Sequence, residues 1–311
     1  MEGAEKIYET TTQINPVFAR HETFHPRFGW LKKGFDKVAL DGSLFKSDEA
    51  SVKLGVGKNM VKSIRYWCTA FKIIEENGNS KGEFQPTTFA MNLLSDDGWD
   101  PFLENPASLW LLHWHLFKPP CDTPVWYLAF NEFNQIEFTV DDLILASKEF
   151  KMRLFPKKRL SDLSIGKDVN CLLRMYVERN NLKQLKEDSL DSPFTQLNLI
   201  NTFGDSKRFM FNFSNKSTLP PEIIVWACLD YSSNSDNDAR TISLSRLLYE
   251  ARSPGQVLKI TEALLCDAIE KVSKSFRDIA LTDTAGMIQF AFKSKADDLA
   301  DDLLKRYFRK R

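Results

Sequence analysis

The sequence predicts a mainly α-helical protein with small β wings, an α+β fold divided into three domains. Apolar residues recur at helical spacing in many segments. Short apolar stretches around glycine-containing turns are typical of small β hairpins. Proline-containing breaks at residues 118–124 and 214–221 divide the chain, because proline lacks a backbone donor and restricts its neighbours. We therefore predict a winged helix-turn-helix domain at 1–117, a mixed domain at 118–217 and a helical domain at 218–311.

Bulk composition indicates the compartment but not the function. An apolar content of 43% is ordinary for a globular protein. No apolar run reaches the roughly 18–20 residues that a membrane-spanning helix needs, and the polar start does not resemble a signal peptide. The five cysteines are scattered without a CxxC pair, which indicates buried thiols rather than disulfides or a zinc site. We expect a cytoplasmic protein with no membrane partner.

Charge is segregated along a chain that is neutral overall. The 42 basic and 42 acidic side chains cancel, so net charge does not indicate a partner. Residues 51–72 carry five basic side chains and no acidic one, and residues 151–183 carry nine basic and three acidic. Such blocks can present a cationic face to a polyanion, although they are also typical of solvated faces of unrelated helices.

A helix-turn-helix signature coincides with the first basic block. Residues 48–54 predict a short first helix, and Gly55 supplies the positive φ that a tight turn between helices needs. Val61, Ile64 and Trp67 are spaced by three and therefore share the buried face of a second helix. The side chains predicted to contact phosphates or read base edges are Lys53, Lys58, Asn59, Lys62 and Arg65.

A hairpin is predicted directly after this second helix. The apolar residues Phe71, Ile73 and Ile74 are followed by a polar, glycine-containing turn at residues 75–82 and then by Phe84. The two helices and the hairpin together indicate a winged helix that binds DNA. Winged helices also serve as protein–protein modules, and that alternative stays open.

The middle domain carries the second basic block and an echo of the same motif. Residues 163–170 resemble residues 54–61, so a second winged helix is an alternative for this domain. Thr139 and Asp142 resemble a capping box that opens a helix. The candidate second basic face consists of Lys157, Lys158, Arg159 and Lys167.

The last domain is predicted to be helical. Leu244 and Leu247 follow helical spacing, as do Ile260 and Leu264. Two shorter helical patterns follow near Thr284–Phe292 and Ala296–Tyr307.

A run of potentially reactive side chains lies near the start of the chain. His21, Glu22 and Arg27 lie within seven residues, and one interpretation is a metal or phosphodiester site. The spacing fits no standard zinc pattern. We favour a local hydrogen-bonded clasp of these three side chains, with the neighbouring aromatic residues, including Phe28, in the core.

Other candidate sites are weaker. The carboxylates at residues 96–100 could hold Mg²⁺ but are more typical of a solvated loop. His113 and His115 follow a helix start predicted from Asn105 and Pro106. Because residues two apart on a helix do not face each other, core packing is favoured over a shared metal. No cofactor is evident, and Mg²⁺ or Mn²⁺ is expected only if the protein nicks DNA.

Several stretches spread over nearly the whole chain carry a family resemblance. They are residues 21–24, Arg27 with 29–34, 54–61 with 64–67, 187–194, 253–255 and 282–286. Together they resemble the SspB-like family, a bacterial family of unknown function. Its members lie beside sulfur-transfer genes of DNA phosphorothioation systems.

This resemblance implies partners and a role. The implied partners are double-stranded DNA, a cysteine desulfurase, an ATPase and an ATP-pyrophosphatase-like sulfur transferase. The implied role is recognising or nicking DNA so that sulfur can replace a phosphate oxygen, although no family motif maps onto catalytic side chains here. A DNA-binding component of such a system is therefore the preferred function. A non-enzymatic winged-helix adaptor and a transcriptional regulator are the alternatives.

Overall fold

The computed structural model describes residues 13–78, 80–159, 161–178, 192–203, 207–214, 216–235, 239–284 and 286–309. Over these residues the protein is mixed, with many helices and three small sheets, which confirms the α+β class. No helix in these ranges is both long enough and apolar enough to cross a membrane. Residues 187–191, part of one stretch that carries the family resemblance, lie outside the described residues.

Short helices and short strands follow one another along the described chain. In order they are α1 (Trp30–Leu40), α2 (Ala50–Leu54), α3 (Lys58–Ala70), β1 (Ile74–Glu76), β2 (Phe84–Pro86), α4 (Thr88–Leu94), α5 (Pro106–His115), α6 (Pro124–Asn131), β3 (Glu137–Thr139), α7 (Val140–Leu154), α8 (Asp162–Tyr176), β4 (Ile200–Phe203), β5 (Arg208–Phe211), α9 (Pro221–Ser235), β6 (Thr241–Ser243), α10 (Leu244–Tyr249), α11 (Pro254–Leu258), α12 (Glu262–Ser273), β7 (Ile279–Thr284), β8 (Met287–Phe292) and α13 (Ala296–Arg309). Single 3₁₀ turns lie at Leu44–Lys46 and Pro193–Leu197.

The chain packs into two compact units. The first contains the described residues of Met1–Ala129 and Phe133–Met210, and the second contains Phe130–Glu132 and those of Phe211–Arg311. Most of the first two predicted domains thus lies in one unit. The division into three domains stays a prediction.

Helices α1 and α3 approach each other at a glycine. A Cβ placed on Gly34 of α1 would lie 2.4 Å from Sγ of Cys68 and 3.1 Å from Cγ2 of Ile64, both on α3. Only a residue without a side chain permits so close an approach. This packing holds α3 with its apolar face inward, and Ile64 and Trp67 are fully buried.

A tight turn precedes α3 and a hairpin follows it. Gly55 ends α2 with a φ of 63°, in the left-handed region as the sequence predicts. The Val56 N–H donates to the Ser51 carbonyl at 3.1 Å and closes the turn. Strands β1 and β2 then pair antiparallel, with Ile74 opposite Pro86.

Two predicted helix starts are confirmed. At the start of α7, the Thr139 hydroxyl accepts the Asp142 N–H at 3.2 Å, and the Asp142 carboxylate accepts the Thr139 N–H at 2.8 Å. At the start of α5, the Asn105 side chain accepts the Ala107 N–H at 3.0 Å, with Pro106 in the first turn. Local capping chemistry therefore sets where both helices begin.

The segment near Thr284–Phe292, predicted as a helix, is instead a strand. Phe290 of β8 lies opposite Ile242 of β6 and Leu281 of β7. Gly286, with a φ of 80°, turns the chain between β7 and β8. Strands on both sides of β8 pair with its backbone hydrogen-bonding groups. Its apolar residues therefore belong to a sheet and not to one face of a helix. The last third is therefore not helical throughout.

The two three-stranded sheets share one strand order. They are β3–β5–β4 and β6–β8–β7, so the first strand of each sheet pairs with the last strand in sequence. A helix precedes the first strand in both cases, and two or more helices separate the first strand from the second. The described parts of the middle and last thirds thus share this strand order, with helices inserted between the first and second strands.

Candidate nucleic-acid interface

Helix α3 exposes the basic side chains that the sequence assigns to its outer face. Val61 is 9% exposed, and Ile64 and Trp67 are 0% exposed, so the apolar face is turned inward. No carboxylate occurs anywhere in the helix. Its exposed residues are Lys58, Asn59, Lys62 and Arg65. We call these four residues the α3 stripe.

The cations of the α3 stripe differ in their partners. Nζ of Lys62 lies 3.5 Å from Oε1 of Glu22, and both side chains are partly exposed, so water screens the pair. Lys58 and Arg65 form no ion pair with any of the residues that the structure describes. Their charges are therefore available to an anionic ligand.

Lys53, on the neighbouring helix α2, is exposed, but its ammonium group is paired with a carboxylate. Its Nζ lies 3.0 Å from Oδ2 of Asp41. Hydrogen bonds from the Ser43 hydroxyl and from Lys53 lower the pKa of Asp41 to about 2. Asp41 thus stays ionised, and a phosphate would have to displace it from Lys53.

His21 lies inside the protein rather than on the candidate interface. Its Nε2 lies 2.6 Å from Oδ1 of Asp168 on α8, and the histidine is 0% exposed. The same carboxylate oxygen accepts the Ala19 N–H at 2.9 Å. Burial raises the pKa of Asp168, and the hydrogen bond from His21 opposes this rise. On its other side the imidazole stacks on Trp67 of α3, with ring centroids 6.1 Å apart.

His21 does not take part in the predicted local clasp with Glu22 and Arg27. His21 and Glu22 instead contact residues far along the chain, namely Asp168 and Lys62. The Arg27 guanidinium lies over two nearby aromatic rings, Phe24 at 5.4 Å and Trp30 at 5.3 Å. The expectation that Phe28 is a core residue is wrong, since it is 58% exposed. The catalytic roles considered for these three side chains stay predictions.

The candidate second basic face is exposed at the N-terminal side of α8. Lys157, Lys158 and Arg159 lie in the turn between α7 and α8, and Lys167 lies on α8 itself. Sequence reasoning did not single out Arg174, which lies two helical turns after Lys167 on α8. Its Nη2 donates to the carbonyl of Thr23, which lies next to Glu22. The i, i+7 spacing from Lys167 is the signal that would have identified it.

Comparison with known proteins places the chain in a family. A family model described as "Protein of unknown function (DUF4007)" matches residues 18–308. An SspB crystal structure is 38% identical with a TM-score of 0.91, over 97% of this chain and 90% of that chain. This chain belongs to the SspB-like family. A magnesium ion-bound SspB crystal structure is also 38% identical, with a TM-score of 0.90 over 96% of this chain and 90% of that chain. No curated protein matches the chain.

One SspB structure is magnesium-bound, and Mg²⁺ prefers carboxylate and water oxygens as ligands. Asp100 is 8% exposed and accepts the N–H groups of Glu104 at 3.0 Å and Asn105 at 2.9 Å, and the Ser108 hydroxyl at 2.6 Å. Asp96 pairs with Lys32 at 2.9 Å. The described residues contain no group of three His, Cys, Asp or Glu side chains that could hold a metal ion. Asp100 therefore organises the start of α5.

The two histidines of α5 pack in the core, as the sequence favours. Nδ1 of His113 lies 2.7 Å from the hydroxyl of Tyr176. His115 stacks on Phe89 with ring centroids 3.7 Å apart, and burial holds its pKa well below the usual value. The two imidazoles thus have separate aromatic surroundings.

Proposed function

We propose that this member of the SspB-like family is the double-stranded-DNA-binding component of a bacterial DNA phosphorothioation system. The observation that carries the proposal is the α3 stripe, which is exposed, cationic and free of carboxylates. Basic side chains at the surface of a helix bind phosphates, and Asn and Arg also read base edges in the major groove.

We further propose that residues 50–86 act as a winged helix-turn-helix with α3 as the recognition helix. In support, the left-handed turn at Gly55 sets α2 against α3, and the β1–β2 hairpin follows directly. Helix–turn–helix proteins insert such a second helix into the major groove. The β1–β2 hairpin would then lie along the sugar–phosphate backbone of the DNA beside that groove.

The phosphorothioation context comes from the family. Membership at this identity and coverage supports association with the other subunits of such a system, namely a cysteine desulfurase, an ATPase and an ATP-pyrophosphatase-like sulfur transferase. In this role the protein selects the DNA site at which sulfur is introduced.

DNA binding is tested by fluorescence anisotropy of a labelled duplex at several salt concentrations. Each phosphate contact contributes about 0.9 to the slope of log K against log salt. We expect salt-dependent binding, and a variant with Lys62→Gln and Arg65→Gln (the α3 variant) should have a slope smaller by about 2. Lys274→Gln, an exposed lysine in the second unit, is the matched control. Absence of DNA binding at low salt would refute the proposal and favour the alternative, a winged-helix adaptor that binds other proteins.

Nicking is a separate hypothesis that supercoiled plasmid tests directly. Relaxation in the presence of Mg²⁺ or Mn²⁺, and its loss with EDTA, is the expected result if the protein is a metal-dependent nickase. If the plasmid stays supercoiled with either metal, the protein is a DNA-binding subunit without nuclease activity.

A further inference from the structure

The α3 stripe has a counterpart on α8. Lys167 and Asn170 are exposed and Arg174 is partly exposed, at spacings of three and four residues that place them along one side of the helix. The buried residues Ile165 and Val169 lie on the other side. We call Lys167, Asn170 and Arg174 the α8 stripe. Between Lys167 and Arg174 the exposed face carries no carboxylate, because Asp168 points inward.

The two stripes meet at a single turn. Lys62 of α3 contacts the side chain of Glu22 at 3.5 Å, and Arg174 of α8 donates to the carbonyl of Thr23. The two cationic groups thus contact two neighbouring residues of one turn. A duplex carries phosphates along both strands, so one duplex can offer phosphates to both groups.

A buried contact holds the two helices in this arrangement. Beneath the turn, His21 stacks on Trp67 of α3 and hydrogen-bonds Asp168 of α8 at 2.6 Å. The turn itself is strained, because Glu22 and Thr23 have φ values of 51° and 67°, which residues other than glycine rarely adopt. Strained backbone of this kind persists where surrounding contacts impose it, and it is common at functional sites.

We propose that the α3 and α8 stripes form one continuous surface that binds a single DNA duplex across the turn at residues 19–23. This inference rests on the proposed DNA-binding function and deepens it. The α8 stripe contacts phosphates of the same duplex that α3 reads, so it adds affinity and orientation rather than sequence preference. The His21–Asp168 pair fixes the spacing between the two sets of contacts.

The test uses the full-length protein and the same labelled duplex. The α8 variant carries Lys167→Gln and Arg174→Gln, and Lys274→Gln is again the control. We expect the α8 variant to bind DNA about 10-fold more weakly at 0.1 M salt, with a slope smaller by about 2. The single variant Lys167→Gln keeps the contact between Arg174 and Thr23. If its slope of log K against log salt is smaller by about 1, the change reports the lost charge and not altered folding.

The outcomes separate this inference from the function on which it rests. If the wild type and the α8 variant bind with equal slopes while the α3 variant loses affinity, the α8 stripe is not part of the interface and the inference fails. If the wild type binds no DNA, the proposed function itself fails. Binding of two duplexes per protein in a stoichiometric titration would also overturn the single-duplex arrangement.

Discussion

His21 and Asp168 are 147 positions apart in sequence, yet their side chains meet at 2.6 Å in the core of the first unit. The contact joins the turn at residues 19–23 to α8, and stacking on Trp67 joins the same turn to α3. Two helices that expose basic side chains are thereby connected through one imidazole.

Removing this imidazole should destabilise the protein. In the variant His21→Ala, the buried carboxyl group of Asp168 loses the side chain that hydrogen-bonds it, and a buried polar group left without its partner costs about 1–3 kcal/mol. Asp168→Asn should cost less, because the amide oxygen still accepts the hydrogen bonds from His21 and the Ala19 N–H. Urea unfolding of the three proteins measures the order. Equal midpoints for His21→Ala and the wild type would contradict a structural role for the pair.

A methyl group on Gly34 should disturb the position of α3. The new Cβ would lie 2.4 Å from Sγ of Cys68, and overpacking of this kind costs about 1–3 kcal/mol in the free energy of unfolding. Adding Cys68→Ala to Gly34→Ala should recover part of the loss. Gly57→Ala is the matched control, because its Cβ would meet nothing within 4 Å and its φ is −65°. A Gly34→Ala variant as stable as this control would show that the helices can separate freely.

Neutralising Glu22 should strengthen DNA binding. Its carboxylate lies 3.5 Å from the Lys62 ammonium and competes with a phosphate for that charge. We expect Glu22→Gln to increase the affinity about two- to fivefold at low salt, and the gain should fade at high salt because the charges are exposed. Anisotropy titrations without divalent metal measure the effect. Asp267→Asn, an exposed carboxylate paired with Lys271 in the second unit, is the control and should change nothing. Weaker binding by Glu22→Gln would contradict the assignment of Lys62 to the interface.

Two buried lysines should make the second unit more stable as pH rises above 7. Lys259 donates to the Phe130 carbonyl at 2.8 Å, and burial together with the charge of Lys216 lowers its pKa to about 7. Burial lowers the pKa of Lys216 to about 8. The unfolded chain binds these protons up to the ordinary lysine pKa, so the unfolded state holds more protons between pH 7 and 10. The free energy of unfolding therefore increases with pH in that range.

Chemical unfolding at pH 7.0 and 8.5 measures this dependence. The gain attributable to Lys259 should be on the order of 1–2 kcal/mol. Lys259→Met should reduce it, because no ammonium is left to discharge. Thiols that are buried in the folded protein begin to ionise in the unfolded chain near pH 8.5, but they contribute equally to both proteins, so the difference between Lys259→Met and the wild type isolates the lysine. The same pH dependence in Lys259→Met and the wild type would exclude Lys259 as its source.

The sequence by itself determined the features that depend on neighbouring residues. The spacing of Val61, Ile64 and Trp67 correctly assigned the buried and exposed faces of α3. Gly55 at the turn and Thr139 at the capping box were equally readable, because a left-handed residue and a helix cap act within a few positions of themselves. The basic, outward face of α3 follows from these local rules.

The tertiary structure alone decided the features that join distant parts of the chain. The segment near Thr284–Phe292 is a strand because β6 lies beside it, and short apolar runs do not distinguish a strand from a buried helix. His21 pairs with Asp168 rather than with its neighbours, and Arg174 reaches Thr23, because folding brings α8 against the N-terminal turn. The sequence determines the chemistry of each side chain. Packing between elements that are far apart in sequence determines which of these side chains meet.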